Sequence, residues 1–312
     1  MDIDALAPGC LERETVRRLS RRSDARGLLQ LAAHVCLLSA TGLLVWASRG
    51  HWWLAAALVL HGVVLCFLFC ALHESIHGTA FASRWPNDLV AWVCGALLVL
   101  PPEYFRLFHF AHHRYTQDRA RDPELAAAAA SNLRSYLWRV SGLPYWFDRL
   151  SVTLRHALTG RVGEPFIPPA RASRIVREAR ALWGSYLCVL LLSLYFQRAD
   201  ALIYWVFPAI LGQPFLRLFL LAEHTGCAFS DDMLANTRTT HTNVALLLLA
   251  WRMPYHAEHH CFPSVPFHAL AKVNALIGTR TQVTAPGYLA LHRGLLRQYR
   301  MSGAAARPKA PS

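Results

Sequence analysis

Long apolar stretches constrain this chain more than anything else in it. Residues 28–47 and 52–72 carry no charged side chain, and residues 181–196 and 201–222 form two further apolar runs joined by the polar turn QRAD. A helix needs about 20 apolar residues to cross the hydrocarbon core of a bilayer. A fifth run, LVAWVCGALLVL at 89–100, stops at Pro101 and Pro102. It is too short to cross and reads as a re-entrant or interfacial helix. Pro208 and Pro214 predict a kink in the last long run. Composition agrees: 54% of the 312 residues are hydrophobic and 16% are charged, where a soluble domain has about 25% charged. The mean hydropathy is +0.25. Such a chain is neither disordered nor collagen-like.

The expected fold is therefore all-α and integral to a membrane. Four transmembrane helices form two hairpins (about 28–47, 52–72, 181–196 and 201–222), with a re-entrant helix at about 89–100 and a cytoplasmic helical cap. Residues 1–27 read as a cytoplasmic N-terminal arm, 28–300 as one membrane domain and 301–312 as a disordered tail. No cleavable signal peptide is visible, because the first apolar run begins only near Leu28.

The net charge is +13, nearly all from arginine. These arginines lie between apolar runs, where they meet anionic headgroups, so membrane lipids rather than nucleic acid are the expected contact. The arm holds Arg13, Arg17, Arg18, Arg21, Arg22 and Arg26, and residues 103–180 are also Arg-rich, whereas the turns at 48–51 and 197–200 carry little charge. By the positive-inside rule the N-terminus and the central segment are cytoplasmic, at a bacterial inner membrane. None of the eight cysteines forms a C-x-x-C pair, so no disulfides are expected.

Sixteen histidines are present, and half of them fall in three tight groups. HESIHG holds His73 and His77, HFAHH holds His109, His112 and His113, and HAEHH holds His256, His259 and His260. Residues three and four apart share a helix face, so each group presents at least two imidazoles together. Eight are too many for a single four-coordinate zinc. An all-imidazole site suits iron, copper, nickel or zinc. If residues 89–100 return without crossing, all three groups reach one membrane face. His34, His51, His61, His156, His268 and His292 read as structural, with His61 hydrogen-bonding a neighbouring helix from inside a span.

The three boxes, with HHRYTQDRARDPE after the second and WRMPYHAEHHCFPSVPFHAL around the third, resemble the membrane fatty acid desaturase family over roughly residues 28–276. That family also includes acyl hydroxylases and carotenoid ketolases. The resemblance implies two iron ions, O2 as co-substrate, a fatty acyl lipid or thioester substrate, and desaturation. The electron donor is then a separate ferredoxin or cytochrome b5-like protein, since the chain holds no cytochrome b5-like domain or iron–sulfur cysteine set. The family's extra histidine matches His224 in LAEHTG, with His241 in NTRTTHTN as the rival. Leu220 stands where some acyl-CoA desaturases have an asparagine that acts through water. Glu74, Asp122 and Glu258 are expected to support the ligating rings. Arg106, Arg114 and Arg238 are candidates for an anionic substrate head or the donor, or simply for lipid. The three-residue spacing of the first box resembles the acyl-lipid branch, and the acyl chain is expected in an apolar tunnel. A reading from another class, a histidine-lined metal transporter, wants ionisable groups at mid-span, whereas these lie at span ends.

Overall fold

The computed structural model describes residues 10–126 and 130–305. Its helices are α1 (Arg13–Leu19), α2 (Asp24–Ala47), α3 (Leu54–Cys66), α4 (Leu68–His77), α5 (Arg84–Leu97), α6 (Pro102–Tyr115), α7 (Leu133–Val140), α8 (Leu143–Thr159) and α9 (Pro169–Tyr195), then α10 (Phe207–His224), α11 (Met233–Asn236), α12 (Val244–Leu249), α13 (His256–Cys261), α14 (Phe267–Ile277) and α15 (Tyr288–Ala305). A parallel pair of two-residue strands, β1 (Thr239–Thr240) and β2 (Thr284–Ala285), ties the segment before the third box to the segment before α15.

Among the described residues, three helical stretches are long and apolar enough to cross a membrane: Asp24–Ala47, Leu54–His77 and Leu202–His224. The first is started by Ser23, whose hydroxyl accepts from the Arg26 N–H at 3.3 Å, with Asp24 in its first turn. The second is α3 and α4 end to end. It runs past the expected limit of 72, so the first histidine box forms the last turns of the span rather than following it, and Gly78 stops it with φ +68°. The third begins as a π-helical turn at Leu202–Val206 and continues into α10, with Pro208 in the first turn and Pro214 inside.

The expected span at 181–196 is the apolar half of α9, a 27-residue helix whose other half carries Arg171, Arg174, Arg177 and Arg180. As a whole it is less apolar than the other three. Its Leu187, Leu190, Leu191, Leu192 and Leu194 are nevertheless at least half exposed, so the fold covers them only in part.

The run expected to be re-entrant lies in α5, which meets α6 at 96°. Val99, with φ +56°, makes the turn and Pro101–Pro102 open α6. The end of α5 is buried, so its last carbonyls need donors. Tyr186 Oη donates to Ala96 O at 2.5 Å, Trp205 Nε1 to Leu97 O at 2.8 Å and Tyr145 Oη to Leu98 O at 2.5 Å. Three aromatic donors from other elements thus fix the hairpin tip.

A second, smaller core lies under the third box, where α1, α11, α13 and α14 bury Val16, Leu234, Phe262, Leu270 and Ile277. Residues 13–19 pack into this core, held also by Ser20 against Ser264 at 3.2 Å, and residues 1–9 lie outside the described residues. At the other end α15 runs to Ala305, with Tyr299 against Tyr136 at 5.5 Å; residues 306–312 lie outside the described residues.

The closest helix crossing is between α3 and α10. A methyl on Gly62 would collide with the Pro208 carbonyl oxygen, and one on Gly212 with the Gly62 carbonyl. In lipid, where apolar burial between helices gains little, such small-residue contacts drive packing. Gly212→Ala should therefore lower stability by about 1–3 kcal/mol, read as a lower Tm in detergent. Gly184→Ala on α9, where a methyl meets nothing within 4 Å, is the control. An unchanged Tm for Gly212→Ala would show that the two helices do not approach this closely.

Candidate metal centre

The structure brings the eight box histidines and His224 together in two adjacent groups. His73, His77, His109, His113 and His259 form one, and His112, His224, His256 and His260 form the other; within each, the ring nitrogens that face inward all lie within 4.8 Å of one another. His73 and His77 come from the last turns of α4, His109, His112 and His113 from α6, His224 from the end of α10, and the rest from α13.

Helix periodicity explains the sorting. At 100° per residue, positions i and i+4 diverge by about 40°, while adjacent positions diverge by about 100°. His109 and His113 therefore enter the first group together, and His112 turns to the second. His256 and His260 enter the second together, and His259 turns to the first. The groups touch through His113 and His260, whose rings stack at 4.2 Å.

The inward atoms are Nε2. His109 and His113 approach at 2.9 Å, His113 and His259 at 3.1 Å, His112 and His224 at 3.2 Å, and His224 and His256 at 3.1 Å. Burial pushes His256, His259 and His260 well below the usual histidine range, and neighbouring imidazoles add to the shift. These rings are neutral at pH 7 and offer lone pairs, the state a metal requires.

Outer contacts orient the second group. His112 Nδ1 donates to Asp122 Oδ1 at 3.0 Å and His224 Nδ1 to the Asn236 carbonyl at 3.1 Å. Thr116 Oγ1 donates to the His112 carbonyl at 2.8 Å, leaving its lone pairs to accept from His260 Nδ1 at 3.2 Å. His256 Nδ1 lies 3.5 Å from Glu223 Oε1. Three of the four Nδ1 atoms of this group are hydrogen-bonded to an oxygen, while that of His256 has the Glu223 carboxylate near it without a hydrogen bond; Nε2 is left for a metal. In the first group the Nδ1 atoms of His73, His113 and His259 are buried without a partner.

Asp122 is the one expected supporting carboxylate that touches a ring. Burial works against its charge, but the His112 hydrogen bond and the N–H groups of Gln117 and Glu124 outweigh it and hold the carboxyl below the usual range. Glu74 instead accepts from Thr79 Oγ1 at 2.8 Å and from the Phe267 N–H at 3.2 Å, and Glu258 accepts from Thr239 Oγ1 at 2.6 Å and Asn274 Nδ2 at 2.5 Å. Both brace the helices that carry the boxes.

Sequence reasoning missed Glu223, Asn236 and Gln117. Gln117 has φ +64°, its N–H on Asp122 Oδ2 and its amide on the His224 carbonyl, each at 2.9 Å. Thr116 and Glu223 sit inside the matched HH…T…DP and E-H patterns, so a signal existed for them. Asn236 acts through its backbone and left none.

The other histidines stay apart from the groups. His241 is exposed. His61 lies between Thr41 Oγ1 at 2.9 Å and the Tyr204 carbonyl at 3.0 Å, and His34 between the Val64 carbonyl at 2.9 Å and Trp251 Nε1 at 3.2 Å. His292 joins Tyr136 Oη to the Leu218 carbonyl, His156 contacts Glu164, His268 contacts Arg26, and His51 stacks on Trp53. Two of the candidate arginines brace box helices: Arg106 Nε donates to the Ile76 carbonyl at 3.1 Å, and Arg238 donates to the Ala222 and Thr225 carbonyls. Arg114 is exposed.

The model of a family described as fatty acid desaturase matches residues 50–288. The chain is 26% identical over 240 residues to a sphingolipid delta(4)-desaturase of Drosophila melanogaster, covering 72% of this chain and 66%, just under two thirds, of that protein. It is 24% identical over 303 residues to a dihydrorhizobitoxine desaturase of Bradyrhizobium elkanii, covering 88% of this chain and 81% of that one. A shorter match, 32% over 93 residues, is to an sn-1 oleoyl-lipid 12-desaturase of Synechocystis sp., with 28% of this chain and 26% of that one covered.

Support of a ligand by its outer partner typically contributes about 10–100-fold in metal affinity. Asp122→Ala should weaken metal binding to that extent, measured by competition with a chelator. Glu258→Gln should lower Tm and leave affinity near wild type. Unchanged affinity in Asp122→Ala would remove the carboxylate from the support of His112.

Proposed function

The chain belongs to the fatty acid desaturase family, and on that premise we propose that it introduces a double bond into an acyl chain, using O2 and two iron ions. The observation that carries this reading is the division of nine buried or half-buried imidazoles into groups of five and four. The first group would hold one iron and the second the other. When bound, two irons supply the power to activate O2 for cleavage of an unactivated methylene C–H bond. In balance, two neighbouring C–H hydrogens and two electrons and two protons from outside reduce O2 to two waters.

The chain's own residues position and shield. Asp122, Asn236 and Thr116 hold the Nδ1 side of three rings of the second group, with Glu223 3.5 Å from the fourth, so that the Nε2 lone pairs converge. Burial of the rings keeps water from competing with the substrate methylenes. Which carbon pair reacts is a matter of placement on the ångström scale.

The membrane arrangement belongs to the same proposal. The apolar half of α9 serves as a fourth span, with α5 and α6 as the re-entrant element, which puts the N-terminus and the histidine groups on the cytoplasmic side of a bacterial inner membrane. Arginine placement supports it. Electrons come from a separate ferredoxin or cytochrome b5-like protein. The names of two relatives, acting on a sphingolipid and on an oleoyl-lipid, support a lipid-borne acyl substrate.

Three measurements test the reading. Purified protein should hold about two irons per chain, as expected of a carboxylate-free pair of imidazole sites, and consume O2 with substrate and donor. Replacing His73, His113 or His260 by Ala should abolish product while membrane insertion persists. Mass spectrometry of host lipids should show a new double bond. Hydroxylated or keto products alone would move the chain to another branch of the superfamily, and metal flux without O2 use would make it a transporter.

The role of His224 is tested separately. His224→Ala should lose iron and His241→Ala should retain it. The opposite pattern would reverse the assignment.

A further inference from the structure

Arg217 lies inside the third long apolar helix, where a cation is costly and needs a reason. It has no ion pair or hydrogen bond with any described residue. Its Nε is buried without a partner, and its guanidinium carbon lies 4.6 Å from the centre of the Tyr145 ring. Gln213, one turn earlier on the same face, is fully buried at 0% exposure, and neither its amide nitrogen nor its amide oxygen has a partner. A third orphan is the buried Nε1 of Trp146, whose ring packs at 5.0 Å on that of Tyr145.

These groups are linked through neighbouring contacts. Gly142, at the start of α8, is in contact with the Gln213 side chain, and Tyr145 and Trp146 follow it on that helix. A buried amide left without a partner is costly, because it has given up its water and gained nothing in return. Three unpartnered polar groups on two packed elements therefore point to something that completes them.

The cluster is connected to the histidines. Arg217 is seven residues before His224 on α10, on the same face and about 10 Å along the axis. Glu124 interacts with both ends: its Oε2 lies 3.8 Å from His112 Nε2, and its carboxylate is attracted by Arg217. Glu124 keeps 39% of its side-chain surface accessible, so the histidine end of this stretch is open rather than packed core.

We infer that Gln213, Arg217 and Trp146 form a subsite for a hydrogen-bond-accepting oxygen group of the substrate, a carboxylate above all, held about 10 Å from the second histidine group. This rests on the desaturase reading and deepens it: the substrate carries a polar group close to the carbons that react, and its site is not an apolar tunnel along its whole length. A hydrocarbon end would leave a guanidinium, an amide and an indole N–H unsatisfied. A carboxylate takes a charge-assisted bond from Arg217 and accepts from the other two. The same chemistry could come from a free acid or from the amide of a lipid headgroup.

Binding of hexanoate, N-hexylacetamide and hexane to the detergent-purified full chain, with and without iron, separates these. Hexanoate should bind wild type and weaken by about tenfold or more in Arg217→Met and Gln213→Leu, the scale of a hydrogen bond to a charged group. Trp146→Phe removes only the N–H and should weaken it less, and Arg217→Lys should restore part of the affinity. The same dependence for N-hexylacetamide in place of hexanoate would assign the subsite to a lipid amide. Equal binding of either polar probe to wild type and all variants, or binding of hexane alone, would overturn the subsite. Iron content of the variants should match wild type, which separates a lost subsite from a lost fold. A protein that binds hexanoate through Arg217 but forms no alkene would keep the subsite and lose the desaturase reading.

Discussion

Nine imidazole lone pairs converging in a dry interior repel one another unless cations lie among them, and the rest of the structure is arranged to enforce that convergence. Burial keeps the rings of the third box neutral. Four elements supply the rings, and each is pinned by contacts that have nothing to do with metal. Glu74 ties the first box to α14, Glu258 ties the third to β1 and α14, and Arg238 satisfies the last carbonyls of α10. A ring displaced by an ångström would leave its group, so these braces matter to chemistry they never touch.

The two groups are supported differently. Three rings of the second have an oxygen hydrogen-bonded to Nδ1, while three rings of the first have no partner there. An oxygen on Nδ1 fixes the tautomer and raises the basicity of the ligand. The second group is therefore the better supported of the two, and it is the one whose His112 lies beside Glu124.

The interior of the membrane half shows a parallel economy. The carbonyls at the end of α5 receive three aromatic donors, and His34 and His61 serve as hydrogen-bonding ties between helices. Gln213, Arg217 and Trp146, by contrast, keep buried polar atoms without a partner.

Much of this was legible in the chain. Apolar runs of span length dictate membrane helices, because the bilayer admits little else, and the box spacing dictates shared helix faces, because the period is local. Even the sorting of His112 and His259 away from their neighbours follows from 100° per residue. The partners were not legible. Asn236 supports His224 through a carbonyl, Glu223 meets His256 across 33 residues of sequence, and Gln213 meets the start of α8 across an even longer separation. Asp122 was named beforehand, Glu74 and Glu258 equally so, yet only Asp122 reaches a ring. Carboxylates near a box look alike in sequence. What distinguishes them is which way a side chain faces once distant helices have packed, and that is set by long-range contacts, which no local periodicity encodes.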